Sequence, residues 1–214
     1  MGAVKNRQQI AAEQTQRVIV EVAARLFGEH GYHATSIGRI ATEAGVAVQT
    51  IYNAIGSKRD LLSRVLDFAA AGDRAPLPVP QFMTEQAERA SDPREIIAQL
   101  VEFWNAALPR TAPVFRILRD AAAVDAEAAA LERTRAAQRL RNYTRPARLL
   151  AERGALHPAL TIDQAAATIF AIGHPDTYRS LVIDGDWNHD RWGTWALLSL
   201  EAALIRAQPA GRVC

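Results

Sequence analysis

An all-α fold is predicted by three features of this chain. Alanine is abundant, strand-type runs of Val, Ile, Thr and aromatic residues are scarce, and apolar residues recur at helical spacing. With 214 residues, 49% hydrophobic and 22% charged, the chain is long enough to bury a real core, and its composition is that of an ordinary globular protein.

Residues 1–9 are polar. The first helix is expected from about Gln14 to His30, with Val18, Val22 and Leu26 beside Ile19, Ala23 and Phe27 in one apolar stripe. Gly31 should end it. Ile37, Ile40 and Ala41 then give a second helix an inward face, Gly45 breaks it at a sharp turn, and Val46 can plug the corner. A third short helix, Val48 to Ala54, is anchored by Ile51 and carries Gln49, Thr50 and Asn53 on a side with almost nothing apolar. Two short helices joined by a glycine turn, the second with a bare polar face, have the organisation of a helix-turn-helix that reads the DNA major groove. Ser57-Lys-Arg-Asp60 resembles a capping box, opening a fourth helix through Leu61, Leu62, Val65, Leu66 and Phe68.

Pro76, Pro78 and Pro80 forbid a continuing helix, so a boundary is placed between residues 1–72 and 81–214. Beyond it, Asp92-Pro93 opens a helix carrying Ile96, Ile97, Leu100, Val101 and Trp104. Further helices are expected from about Ala112 to Val124 and from about Asp125 to Arg153, the latter kinked or split at Pro146. Thr161–Gln164 matches a capping box before a helix reaching about Asp184, bent at Pro175. A last helix runs from about Asp190 to Ala207 with Trp192, Trp195, Leu198, Leu200 and Leu204.

The formal net charge is +2, and residues 1–72 carry eight basic against six acidic side chains. That bias is too weak to identify nucleic acid as the partner; the motif carries that inference. Cys214 is the single cysteine, which excludes an intrachain disulfide and a cysteine metal cluster. No signal-peptide pattern and no apolar run long enough for a membrane span is present, so a cytoplasmic protein without a membrane partner is expected.

From Thr15 to Leu62 the chain resembles the TetR family of bacterial one-component repressors. The resemblance rests on A-x-x-L-F-x-x-x-G-Y at Ala23–Tyr32, T-S-I-x-x-I-A at Thr35–Ala41, A-G-V-x-x-x-T-I-Y at Ala44–Tyr52 and G-S-K-x-x-L-L at Gly56–Leu62. It implies an amino-terminal three-helix DNA-binding head, a connecting fourth helix and an all-α body that dimerises and binds a ligand. Many relatives carry His then Phe after the recognition-helix tyrosine, where this chain has Ala54 and Ile55. Ile55 can replace the packing of the Phe, but Ala54 cannot replace a His that contacts the DNA backbone.

Within this frame Thr35 and Ser36, at the start of the second helix, can hold a phosphate or cap the helix. Tyr52 and Lys58 are implied phosphate contacts, and Arg39 is either a further one or a solvated charge. Gln49 and Asn53 can pair with adenine, and Val48 and Thr50 can touch thymine methyls. Lys5 and Arg7 offer a minor-groove arm or a solubilising tail. Phe103, Trp104, Phe115, Leu118, Arg119, Tyr143, Phe170 and His174 are candidates for a ligand site, with plain core packing as the alternative for each. A buried Arg119 would need an anion. The apolar last two helices predict a homodimer, and the expected effector is a small, largely apolar inducer.

Asp184–Asp190 mimics a calcium loop but has His189 at the glycine position and Trp195 in place of the distal glutamate, so helix capping explains it better. His174-Pro-Asp176 matches the J-domain tripeptide by coincidence. No catalytic motif, cofactor motif or metal-ligand spacing is found, and an enzyme is not expected. The expected function is a ligand-responsive transcriptional repressor binding a palindromic operator. The competing reading is a constitutive or architectural DNA-binding protein without a ligand.

Overall fold

The computed structural model describes residues 7–72, 89–90 and 92–206. Expectations for Lys5, the Pro76–Pro80 stretch and Cys214 fall outside the described residues. Among those described, helices account for the regular structure and no strand forms; a single antiparallel bridge pairs Leu156 with Ile205.

The helices are α1 (Arg7–Ala34), α2 (Ile37–Ala44), α3 (Val48–Ala54), α4 (Lys58–Ala71), α5 (Pro93–Ala122), α6 (Ala126–Glu152), α7 (Ile162–Ile172), α8 (Pro175–Tyr178) and α9 (His189–Leu204). A π-helical turn, Arg179–Ile183, follows α8 directly. They divide between two compact units, one of residues 1–70 with 113–133 and the other of residues 71–112 with 134–214. The segment 113–133 therefore packs with the amino-terminal helices.

In the first unit, Ile19, Ala23, Leu26 and Phe27 of α1 are fully enclosed, as are Ile40, Ile51, Leu61, Leu62, Val65 and Leu118. The apolar stripe of α1 is rotated from the one expected, since Val18 is exposed and Val20 is buried. Gly31 breaks the helical path of α1 at φ 78°, ψ 166°, a conformation that glycine adopts without a Cβ clash. Gly45 does the same after α2 at φ 67°, its amide donating to the Ala41 and Thr42 carbonyls. The α4 cap is reciprocal: the Asp60 amide donates to Ser57 Oγ at 3.2 Å and the Ser57 amide to Asp60 Oδ2 at 3.0 Å.

In the second unit, Trp104, Ile96 and Ile97 of α5, Leu150 of α6, Ala165, Ala166 and Ile169 of α7, and Trp192, Leu200 and Leu204 of α9 form the core. The predicted capping box at α7 is present, with the Gln164 amide donating to Thr161 Oγ1 at 3.2 Å and the Thr161 amide to Gln164 Oε1 at 2.9 Å. The end of α9 is tied to the α6–α7 loop, because the His157 amide donates to the Leu204 carbonyl at 2.7 Å and the Arg206 amide to that of Ala155 at 2.8 Å.

Three element expectations need correction. The separate helices foreseen on either side of residue 112 are one, α5, which continues through Pro109 and Pro113. Each proline removes one amide from the ladder, and side chains reinforce the same stretch: Thr111 Oγ1 donates to the Ala107 carbonyl at 3.0 Å and Arg110 donates to that of Ala106. Likewise α6 runs unbroken through Pro146. The reverse holds after α7, where the helix expected to reach Asp184 stops at Gly173 and restarts at Pro175. Gly173 is tightly enclosed, since a Cβ there would lie 2.1 Å from Trp104 Cζ2.

Candidate nucleic-acid interface

The first unit presents α3 with one buried side chain, Ile51. Val48, Gln49, Tyr52 and Asn53 are exposed, and Thr50 is half-buried. Tyr52 leaves 49% of its surface open and Val48 42%, large for side chains of their type. Gln49 Nε2 donates to Asn53 Oδ1 at 2.9 Å, so the two carboxamides lie along one edge of the helix as their four-residue spacing requires. Each retains donors and acceptors for a base edge.

Several contacts hold this polar helix in place. Ile51 enters the core beneath it, while Val46 and Ile55 pack at its two ends. Gln16 Nε2 of α1 donates to the Ala54 carbonyl at 2.9 Å, satisfying one of the orphan carbonyls at the helix end. Gln16 was not foreseen: a polar residue on the first helix carries no spacing signal that links it to a carbonyl 38 residues away.

Ser36 and Thr35 separate in role. Ser36 is exposed and caps α2, accepting the Arg39 amide at 3.1 Å. Thr35 is fully buried, and its hydroxyl is directed to the carbonyls of Gly31 at 2.8 Å and Leu26 at 3.1 Å. This corrects the expectation of a Thr35 phosphate contact through the hydroxyl; the side chain instead closes the break after α1.

Arg39 is part of an ionic network rather than a solitary solvated charge. Its Nε donates to Glu43 Oε1 at 3.2 Å and its Nη2 meets His30 Nε2 at 2.8 Å. Arg25 bonds Glu43 from α1 and also pairs with Glu29 at 3.2 Å. Bonds from Arg25 and then Arg39 hold the Glu43 carboxyl below its ordinary pKa. Lys58 lies with its ammonium 4.3 Å from the centroid of the Tyr32 ring and 3.5 Å from the His33 carbonyl. Burial lowers the Lys58 pKa, opposed by the charge of Asp125. Burial, then Asp125 and Glu127, push the Tyr32 phenol up to about 12, so it stays neutral beneath that ammonium.

The ligand candidates are divided between the two units. Phe115, Leu118 and Arg119 belong to the first unit, where Leu118 is core and Phe115 packs against it. Arg119 is 48% exposed with Glu132 3.6 Å away, so it is not a buried arginine in need of an anion. Phe103, Trp104, Tyr143, Phe170 and His174 belong to the second unit. Trp104 Nε1 donates to the Tyr143 hydroxyl at 3.1 Å, and the Phe170 and His174 rings meet edge-on at 5.3 Å. His174 also caps α8, its Nδ1 accepting the Asp176 amide at 3.2 Å, which accounts for the His-Pro-Asp tripeptide as a helix start. Asn188 Oδ1 caps α9 by accepting the Arg191 amide at 2.8 Å, the capping role foreseen for the Asp184–Asp190 loop.

The family model for bacterial regulatory proteins of the tetR family matches residues 19–65, the segment that builds this face. The chain carries a TetR-family DNA-binding domain. Over 91 residues it is 31% identical to the HTH-type transcriptional regulator AcrR of Shigella flexneri, covering 42% of this chain and 40% of that one. Over 50 residues it is 42% identical to the regulator HbdR of Aromatoleum sp. (strain CIB), covering 23% and 22%. The chain thus matches two fifths or less of the length of these relatives. Likeness to solved structures extends over most of the fold. NalD, the secondary repressor of the MexAB-OprM multidrug efflux pump in Pseudomonas aeruginosa, superposes with a TM-score of 0.69 at 21% identity, over 92% of this chain and all of that one. The SmeT–triclosan complex gives the same TM-score at 19% identity, over 94% and 97%. Among the described residues no helix is long and apolar enough to cross a membrane.

Proposed function

We propose that this TetR-family protein is a transcriptional repressor that binds a palindromic DNA operator as a homodimer and is released by a small, largely apolar inducer. The observation that carries the reading is the exposed edge of α3, where Gln49, Tyr52 and Asn53 stand on a helix fixed by one buried isoleucine. DNA contacts are assigned to residues 1–72, and dimerisation and ligand binding to residues 81–214. The matched regulators and the repressor NalD support the regulatory role, and triclosan bound to SmeT supports a ligand in this fold. Leu198, 59% exposed on α9, supports a dimer face on that helix, whose other large apolar residues mostly fill its own unit's core. Inducer binding favours a conformation whose two heads no longer match the groove spacing, shifting the population away from DNA.

Selection of the purified protein against a random duplex library at fixed salt tests this. A recovered palindrome with half-sites one helical turn apart, or a multiple of it, is expected. Retention without an enriched motif removes sequence-specific repression. In the same selection Gln49→Ala is expected to relax the preference for one A·T pair by about 1–3 kcal/mol; equal weakening on every sequence would deny Gln49 a base contact.

A further inference from the structure

Gln49 and Asn53 are both exposed on α3, yet the bond between them makes them unequal. Gln49 Nε2 donates to Asn53 Oδ1 at 2.9 Å, which uses one amide proton of the glutamine and part of the accepting capacity of the asparagine oxygen. Gln49 keeps its whole carbonyl oxygen and a second N–H, an acceptor beside a donor. Asn53 keeps its N–H groups, but its oxygen is already engaged.

Position along the helix separates them further. Gln49 is the second residue of α3 and Asn53 the last but one. Recognition helices of this motif contact bases with the residues at their beginning, which puts Gln49 rather than Asn53 nearest a base edge. Val48 precedes it, 42% exposed, with methyl groups suited to a neighbouring thymine. An adenine edge in the major groove offers the N7 acceptor and the N6 donor side by side, whereas guanine offers acceptors at both places. The oxygen and N–H of one carboxamide therefore match adenine and meet guanine O6 with repulsion. The match needs one orientation of the amide. Turning the Gln49 amide over would set its oxygen against Asn53 Oδ1, so the bond between them selects that orientation. An untethered glutamine would also have to be ordered on the base at a cost in rotamer entropy, and here part of that ordering precedes DNA. The bond is weak in water and strengthens as the groove excludes solvent.

We propose that Gln49 and Asn53 act as one reading unit, in which Gln49 pairs bidentately with an adenine and Asn53 is the positioning residue that holds its carboxamide. The proposal rests on the reading of α3 as the operator-recognising helix and adds a division of labour within it. Preference at one base pair then depends on both side chains, of which Gln49 touches the base.

The random-duplex selection, repeated with variants of the full-length protein, tests the coupling. Gln49→Ala marks the base pair that Gln49 reads, where the wild-type preference is expected to be about tenfold or more. Asn53→Leu keeps the bulk of the side chain without an acceptor, and is expected to cut the preference at that same pair to about threefold or less. Asn53→Asp, which can only accept, is expected to keep the preference while its charge weakens binding to all sequences alike. The double variant Gln49→Ala/Asn53→Leu is expected to be no less selective at that pair than Gln49→Ala alone. If Asn53→Leu binds too weakly for selection, Asn53→Ala is measured by fluorescence anisotropy on two duplexes differing at that pair alone, with the same expectation. A preference that stays sharp without the Asn53 acceptor, or a loss at a different base pair, overturns the positioning role and leaves sequence-specific binding standing. A loss with Asn53→Asp as great as with Asn53→Leu overturns it too. Uniform weakening by Gln49→Ala denies Asn53 a base contact to position. A wild type that enriches no motif removes the operator reading, and this unit with it.

Discussion

Helices α3 and α9 use apolar residues in opposite ways. The seven residues of α3 bury Ile51 alone, whereas the sixteen of α9 bury Trp192, Gly193, Ala196, Leu200 and Leu204. A seven-residue helix is far too short to persist by itself in water, so α3 exists because α1 and α2 hold it. Its exposed side chains make little contribution to that packing, which leaves their identities available for another purpose. In α9 the same residue types serve core packing, and any surface for a second subunit is superimposed on it. A face with few packing duties is therefore readable as functional, whereas an apolar face is ambiguous.

The strongest challenge to this contrast is Ile51→Ala. Removing a fully buried isoleucine is expected to cost about 2–5 kcal/mol, measured by denaturant unfolding, and to lose operator binding even where the variant is still folded. Retained DNA binding in a folded variant would mean that α3 does not depend on its anchor. On the body side Gly173→Ala probes close packing instead. Its Cβ would meet the buried Trp104 ring at 2.1 Å, and a loss of about 1–3 kcal/mol is expected. A melting temperature equal to wild type would show that the indole can yield there. Gln16→Ala sharpens the comparison by removing the tether to the Ala54 carbonyl without touching the core; a loss of about 1 kcal/mol is expected, with weakened operator binding. A binding curve unchanged from wild type would make that bond dispensable.

The smallest expected effect is one of pH. Asp60 accepts the Ser57 amide and hydroxyl and pairs with Arg59, which together lower its pKa to about 2 from an ordinary 3.8. A depressed folded-state pKa contributes stability above pH ~4 that is lost as pH falls toward ~2. Because the side chain is 40% exposed, the contribution is held to less than about 1 kcal/mol by solvent screening. Denaturation midpoints at pH 5, 3 and 2 should converge for wild type and Asp60→Asn as acid is added; a constant gap would place the effect elsewhere.

Much of the head was legible in the sequence because local rules suffice there. Gly31, Gly45, Ile51 and the Ser57–Asp60 box act over short spans, and each appears where its spacing put it. Thr35 was misread because a hydroxyl beside a helix start fits both a cap and a phosphate ligand, and only the path of the chain shows it buried. Separate helices were expected on either side of residue 112, whereas α5 is continuous through Pro109 and Pro113, a continuity that no local spacing rule signals. The exposure of Arg119 beside Glu132 was not legible, because an arginine on an amphipathic helix has the same spacing whether it is buried or solvated.

The carboxylates of the head carry a consequence for its dependence on ionic strength. Arg17 is held by Glu21, Arg25 and Arg39 converge on Glu43, and Arg59 meets Asp60. An incoming phosphate competes with anions already in place, so binding releases fewer condensed counterions than the number of basic side chains implies. On the proposed reading, the slope of log affinity against log salt then follows the net charge of the face rather than its count of basic side chains. A DNA-binding head built this way is expected to lose less of its affinity as salt rises than its count of arginines implies.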